Sequence, residues 1–289
     1  PVGTPVAAGL IDAHAGGVGT VGAIGAPHEN MAYVFGTSSC TMTTTSDPAF
    51  VPGVWGPYFD AMMPGLWLNE GGQSAAGAAM DRLVALHPAR ALAQKKADAA
   101  GRSLLAYLSQ QALHTAGTPS QAISLAEGVH VVPEFLGNRA PFADPDARAI
   151  VAGLGMDQSE ASLVALYIAG LSGIGYGLRQ ILDVQGQHGA PVRRIVISGG
   201  AGQDDLVRQL LADITGITVV VTEAEEPVLL GSAILGVMAA GRFQTMPEAM
   251  SRMTRPKHMF EPAGPAISAV HERRFRTFEA LQEAAKCSS

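Results

Sequence analysis

Apolar residues recur every three or four positions between residues 159 and 183, at Leu163, Tyr167, Leu171, Ile174, Leu178 and Ile181, which predicts a long amphipathic helix. Asp157 followed by Glu160 supplies its capping-box start. Gly170, Gly173, Gly175 and Gly177 fall inside it, each costing about 1 kcal/mol relative to Ala, so another backbone or a ligand is expected to pass close by. Downstream the pattern alternates: strand 194–198, glycine-rich turn, helix 205–214, strand 218–222, helix 227–240. Pro227 sits in the first turn of that last helix and Gly241 just past its end. The second half therefore reads as α/β. Upstream, strands are predicted at 5–11, 31–35 and 40–45, with a glycine stretch at 16–19 and a hairpin turn at 36–39. Residues 46–69 show no helical period. Helices follow at 73–86, ended by Pro88, and at 89–111, and 134–146 reads as a loop.

Composition narrows the function. With 289 residues the chain holds one or two domains, and 47% hydrophobic against 15% charged residues is too apolar for disorder. A net charge of −6 argues against nucleic acid as a partner. The 34 glycines and 18 prolines suit loops wrapped around a small polar ligand. Cys40 and Cys287 lie too far apart in sequence to suggest a disulfide framework or a thiolate zinc site, which fits a reducing cytoplasm. Residues 163–182 form the longest apolar stretch, but Ser172, Tyr176, Arg179 and four glycines interrupt it, so a soluble protein without a membrane partner is expected. The chain opens at Pro1 without Met and reads as a piece of something longer.

Three segments carry candidate chemistry. Asp12 follows an apolar run and precedes glycines, a position that suits a helix cap as readily as a general base. His14 could polarise a substrate hydroxyl or be a satisfied structural residue. Gly36, Thr37 and Ser38 offer amides and hydroxyls in a turn that suits a phosphate better than a metal, and no Walker-type G-x-x-x-x-G-K-[ST] run exists. Between strand and helix, Ser198-Gly199-Gly200-Ala201-Gly202-Gln203-Asp204 lets the backbone approach a flat or anionic ligand, unless it is a plain tight turn. It also competes as a dinucleotide fingerprint with Glu223 as ribose acceptor, although Asp205 stands where the third glycine belongs.

Taken in order, seven segments resemble the FGGY carbohydrate kinases: Gly-x-x-Asp-Ala-His-x-Gly at 9–16, Gly-Thr-Ser at 36–38, Glu-Gly-Gly-Gln-Ser-Ala-Ala-Gly at 70–77, Gly-Asn-Arg-Ala-Pro-Phe-Ala-Asp-Pro at 137–145, Ser-Gly-Gly-Ala-Gly at 198–202, Ala-Asp-Ile-Thr-Gly at 212–216, and Glu-Pro-Val-Leu-Leu-Gly-Ser-Ala at 226–233. The first and third are most similar to the ribulokinase branch. The resemblance implies an α/β actin-like (ribonuclease H-like) lobe, a mixed sheet flanked by helices. Residues 1–289 would be the C-terminal, nucleotide-binding lobe of a two-lobed kinase, with the N-terminal lobe as its partner, a homodimer left open and the cytoplasm as its compartment. It implies ATP and Mg²⁺, with a ketopentose, ribulose in the first place, as the sugar. Asp12 matches the catalytic base and His14 a position near the sugar. Gly36, Thr37 and Ser38 match the β- and γ-phosphate turn, with Thr37 the direct contact. Gly77 matches a glycine close to the nucleotide, and Gly199, Gly200 and Ala201 match the adenosine turn. Asp204 stands where many relatives carry an Asn. The rival expectations are a non-catalytic actin-like nucleotide-binding module and an NAD-dependent oxidoreductase.

Overall fold

A computed structural model describes residues 2–286; Cys287 lies outside them. A seven-stranded sheet organises the chain: β1 (Asn30–Phe35), β2 (Ser39–Thr45), β3 (Trp55–Phe59), β4 (Trp67–Gln73), then, after the short pair β5 (His130–Val132) and β6 (Ile150–Ala152), β7 (Arg194–Ser198), β8 (Thr218–Thr222) and β9 (Pro256–Phe260). Its order is β3-β4-β2-β1-β7-β8-β9. β1, β7 and β8 run parallel, while β2 opposes both β1 and β4. This is the mixed sheet expected of an actin-like lobe.

Both faces of β1 are covered, which is why its sequence after Asn30 runs on without polar alternation from Met31 to Phe35. Met31, Tyr33 and Phe35 point into one core with Ile195, Ile197, Val219 and Val221, whereas Ala32 and Val34 point into a second core with Met42 and Leu68. The helices divide accordingly. α1 (Asp12–Val18) belongs to the second core. The first core takes α2 (Gly77–Ala85), α3 (Arg90–Ala99), α4 (Leu104–Ala116), α5 (Glu160–Gln187) and α6 (Asp205–Thr215). α7 (Pro227–Ala239) and α8 (Met246–Met253) join α1, and α9 (Pro265–Lys286) returns to the first core through Phe275 and Phe278.

The 28-residue α5 is long and apolar enough to cross a membrane, yet it is the buried central helix of the first core. Its glycines answer to protein neighbours: a Cβ on Gly170 would crowd Leu83, on Gly173 the Val131 carbonyl, on Gly175 Ile214 and on Gly177 Gln73. Ser159, not Asp157, caps it, by accepting the Ser162 amide at 3.3 Å, and Glu160 turns outward to Lys96 and Tyr107.

Several expected elements differ. Residues 5–11 form no strand, because no sheet edge lies beside them; Val6 and Ile11 are exposed. The glycine stretch at 16–19 belongs instead to the end of α1. The expected helix at 73–86 starts only at Gly77, since Gln73 closes β4, and 89–111 splits at Gly101, whose φ is +63°, before Ser103 caps α4. Within 46–69, the edge strand β3 is bulged between Trp55 and Tyr58, so its side chains keep no clean alternation.

α1 and α7 meet backbone to backbone. A Cβ on Gly231 would overlap the Ala15 carbonyl, and one on Gly19 the Pro227 carbonyl, so this crossing fixes the helix that begins at Asp12. Gly236, in the same helix, faces open space. Gly231→Ala is therefore expected to destabilise the fold by about 1–3 kcal/mol. Gly236→Ala is expected to be neutral or to stabilise by up to about 1 kcal/mol. Denaturant unfolding of the two variants checks this.

Candidate active site

The chemistry-bearing turns share one edge of the sheet. Val34 pairs with Ser198 in parallel β1 and β7, so the turns at 36–38 and 199–203 emerge side by side at the carboxyl ends of the strands, where open α/β sheets take ligands. Ser39 pairs with Gln73, which brings the end of β4 and the start of α2 to the same edge. Gly199, at φ +92°, has room for no side chain, because a Cβ would stand 2.5 Å from the Phe35 carbonyl oxygen.

α2 is docked on the first turn. The Ala76 and Ala78 amides donate to the Thr37 carbonyl at 2.9 and 3.1 Å, and the Gly77 amide donates to the Gly36 carbonyl at 2.9 Å. A Cβ on Gly77 would lie 2.7 Å from that Gly36 oxygen. Gly36 donates its own amide to the Ser38 carbonyl at 2.9 Å, while no protein acceptor among the described residues takes the Thr37 or Ser38 amide. Thr37 and Ser38 are exposed. The turn thus presents two free amides and two hydroxyls, an anion-binding concavity.

Beside it, Phe35, Gly77, Tyr167, Gly200, Ala201 and Asp204 help to line a cavity of about 370 Å³, within the range of small-molecule sites. Four of the ten residues singled out from the sequence meet there. Gly200 faces it with open space around its Cα. Asp204 has a structural task as well: its Oδ1 accepts the Leu206 amide at 2.8 Å and caps α6. Burial, then the charge of Asp204, raises the pKa of the Tyr167 phenol, which stays neutral.

The remaining two residues open a second, more acidic group. Asp12 is the first residue of α1, exposed, with Oδ1 accepting the Ala13 amide at 2.7 Å. His14, one half-turn on, is buried, and its Nε2 lies 3.1 Å from Glu70 Oε2. Glu70 Oε1 in turn accepts from Arg139 Nη2 at 3.2 Å and from the Cys40 thiol at 3.5 Å. Cys40 feels Asp12 too: burial first, then Glu70, with a smaller push from Asp12, drive its thiol pKa up to about 12. Glu70, Arg139 and Cys40 were not singled out as site residues, although two of them stand in recognised motifs. The signal available is the pairing of β2 with β4: Glu70 faces Met42 and Cys40 faces Gly72, two positions along, so Glu70 and Cys40 fall on one face of the sheet.

A second cavity, about 510 Å³, lies on the far side of the glycine turn and is lined by Glu223, Glu225 and Glu226 among others. Arg208 and Lys257 line it too, Asp205 in the first turn of α6 is paired with Arg208 at 2.7 Å, and Asp204 already takes the Leu206 amide, so that amide is not available to a dinucleotide pyrophosphate. No group of three His, Cys, Asp or Glu side chains able to hold a metal ion occurs among the described residues.

A family model described as the FGGY family of carbohydrate kinases, C-terminal domain, matches residues 31–240. An FGGY carbohydrate kinase domain-containing protein of Xenopus laevis is 43% identical over 265 residues, covering 88% of this chain and 48% of its own length. A D-ribulokinase of Saccharomyces cerevisiae is 36% identical, over 82% of this chain and 36% of its own. The chain spans about half the length of the FGGY carbohydrate kinase domain-containing relatives it matches. Among solved structures, a xylulose kinase from Rhodospirillum rubrum superposes with a TM-score of 0.77 at 23% identity, over 98% of this chain and 52% of that one, a likeness of fold.

The raised thiol pKa makes Cys40 a poor nucleophile. At pH 8 its thiolate fraction is on the order of 10³ below that of a free cysteine. Peptide mapping after iodoacetamide treatment at that pH is expected to find Cys40 unmodified in the folded protein and alkylated once urea unfolds it.

Proposed function

The chain belongs to the FGGY family of carbohydrate kinases, and on that premise we propose that it forms the nucleotide-binding lobe of an ATP-dependent kinase acting on a ketopentose, ribulose in the first place. The observation that supports this reading most is the convergence of Gly77, Gly200, Ala201 and Asp204 on one cavity next to the free amides of Thr37 and Ser38. Adenosine would occupy the cavity, with the phosphates over the 36–38 turn. Gly200 would let the backbone come close to it, while Gly199 holds the turn against the end of β1. Ribulose is favoured because the Saccharomyces relative is a D-ribulokinase. An N-terminal lobe would close the cleft and supply the remaining sugar contacts, in a cytoplasmic enzyme.

Phosphoryl transfer asks the protein for position and charge more than for covalent chemistry. In this proposal a sugar hydroxyl attacks the γ-phosphorus, its proton passes to the Asp12 carboxylate, a new O–P bond forms and the bond to the ADP oxygen breaks. Asp12 suits the role because it is exposed and no ion pair engages it among the described residues. The crossing of α1 with α7 holds it still. His14 and Glu70, joined to each other, would face the sugar hydroxyls. Mg²⁺ neutralises phosphate charge when bound. Asp12 is the exposed carboxylate that would share in holding the ion, with phosphate and water as its other ligands.

In the protein carrying both lobes, Asp12→Asn is expected to lower kcat for ribulose about 10²–10⁴-fold and leave ATP affinity unchanged, by coupled-assay kinetics and calorimetric titration. An unchanged kcat would favour a non-catalytic nucleotide-binding module. Gly200→Val is expected to fold normally, because nothing lies within 4 Å of its Cβ position, and to lose ATP binding. Circular dichroism alongside ATP titration separates these effects, and retained affinity in a folded variant would remove the nucleotide from this cavity.

A further inference from the structure

Glu70 is held from two sides. On one, Oε2 meets His14 Nε2 at 3.1 Å; on the other, Oε1 takes Arg139 Nη2 at 3.2 Å. Arg139 is itself supported, its guanidinium carbon 4.4 Å from the centroid of the Trp55 ring. Trp55 is the residue that pairs with Glu70 across β3 and β4, so ring, guanidinium and carboxylate form one stack tied to the sheet.

The loop that delivers Arg139 is equally fixed. Asn138 exchanges backbone hydrogen bonds with Asp144 at 2.7 and 2.8 Å, donates from Nδ2 to Glu134 Oε1 at 2.6 Å, and accepts the Phe142 amide on Oδ1 at 3.0 Å. Glu134 Oε1 also accepts from Gln282 of α9. A planar guanidinium is suited to this place, since it can lie on an indole face and point an N–H at a carboxylate at once; an ammonium cannot. Removing it would leave the part-buried Glu70 with one imidazole and a weak thiol donor, free to turn away from His14.

We infer that Arg139, carried on the face of Trp55, is a positioning residue that fixes the Glu70 carboxylate and, through it, the His14 ring at the sugar end of the cleft. The inference rests on the kinase reading for what that end binds. Arg139 lies outside the residues lining the cavity at Gly77 and Gly200, so its effect belongs to the sugar and not to the nucleotide.

The test uses the protein with both lobes, D-ribulose and ATP, and the variants Arg139→Met, Arg139→Lys and Trp55→Leu. Arg139→Met is expected to raise KM for ribulose about tenfold or more and leave KM for ATP within about twofold, with Arg139→Lys recovering part of the loss. Trp55→Leu, which keeps the ion pair but removes the support, is expected to fall between wild type and Arg139→Met. A crystal structure of Arg139→Met is expected to show Glu70 beyond hydrogen-bonding distance of His14. An unchanged ribulose KM in Arg139→Met or Trp55→Leu, equal changes in both KM values, or no recovery by Lys would overturn the inference. If the wild type phosphorylates no ketopentose, the kinase reading fails, while the crystal structure still decides the positioning: Glu70 keeping its bond to His14 without Arg139 refutes it.

Discussion

The seating of α2 on the β1–β2 turn is the contact from which the rest of the site takes its shape. Helix N-termini ordinarily leave amides free for an anion. Here Ala76, Gly77 and Ala78 give theirs to the Gly36 and Thr37 carbonyls, so α2 acts as a buttress and the amides left over belong to Thr37 and Ser38. Only a glycine at 77 permits the approach. The same crowding recurs one strand away, where Gly199 lies against the Phe35 carbonyl. Two turns and a helix end are thereby locked to the end of a single strand, β1, and the cavity between them has a fixed outline.

The acidic group is arranged on a different principle. Its members come from α1, β2, β3, β4 and the 134–146 loop, and they are joined by charge and hydrogen bonding more than by backbone. Glu70 is the common partner, shared by an imidazole, a guanidinium and a thiol. The two oxygens of the carboxylate let Glu70 serve two opposite neighbours, while Arg139 Nε stays buried without a hydrogen-bond partner among the described residues.

What was legible in the sequence followed from local pattern. The period of α5, the short strand-like runs of β1 and β2 on either side of a turn, and the turn chemistry at 36–38 and 199–202 each depend on neighbours a few residues away, and the elements form where expected. Asp12 follows an expected strand, but it opens a helix; the apolar run before it forms no strand, and of the glycines after it Gly16 and Gly19 make room for α7 while Gly17 makes room for Met62. The α5 glycines likewise serve contacts with Leu83, Val131, Ile214 and Gln73, residues scattered over more than a hundred positions. Arg139 and Glu70 could be read as motif letters yet not as an ion pair, since their meeting is set by β4 and by a loop 69 residues later. No element is predicted beyond residue 241, although α8 is amphipathic, and α9 is explained by what it covers: Tyr176 and Arg179 of α5 against Phe275 and Phe278.

The parallel pairing of β1 with β7 also governs how the chain reaches this state. Asn30 registers with Arg194, so the two central strands are roughly 160 residues apart along the chain, and closing such a loop must precede any benefit from the contact. During synthesis the β1–β2 hairpin emerges well before β7, the strand that pairs with the other edge of β1. It can be completed only after α5 and β7 have left the ribosome. The phosphate-type turn at 36–38 and the glycine turn at 199–203 become neighbours at that same step, so assembly of the candidate site and closure of the sheet are one late event, and until then the apolar flank of β1 is the segment with most need of protection from aggregation.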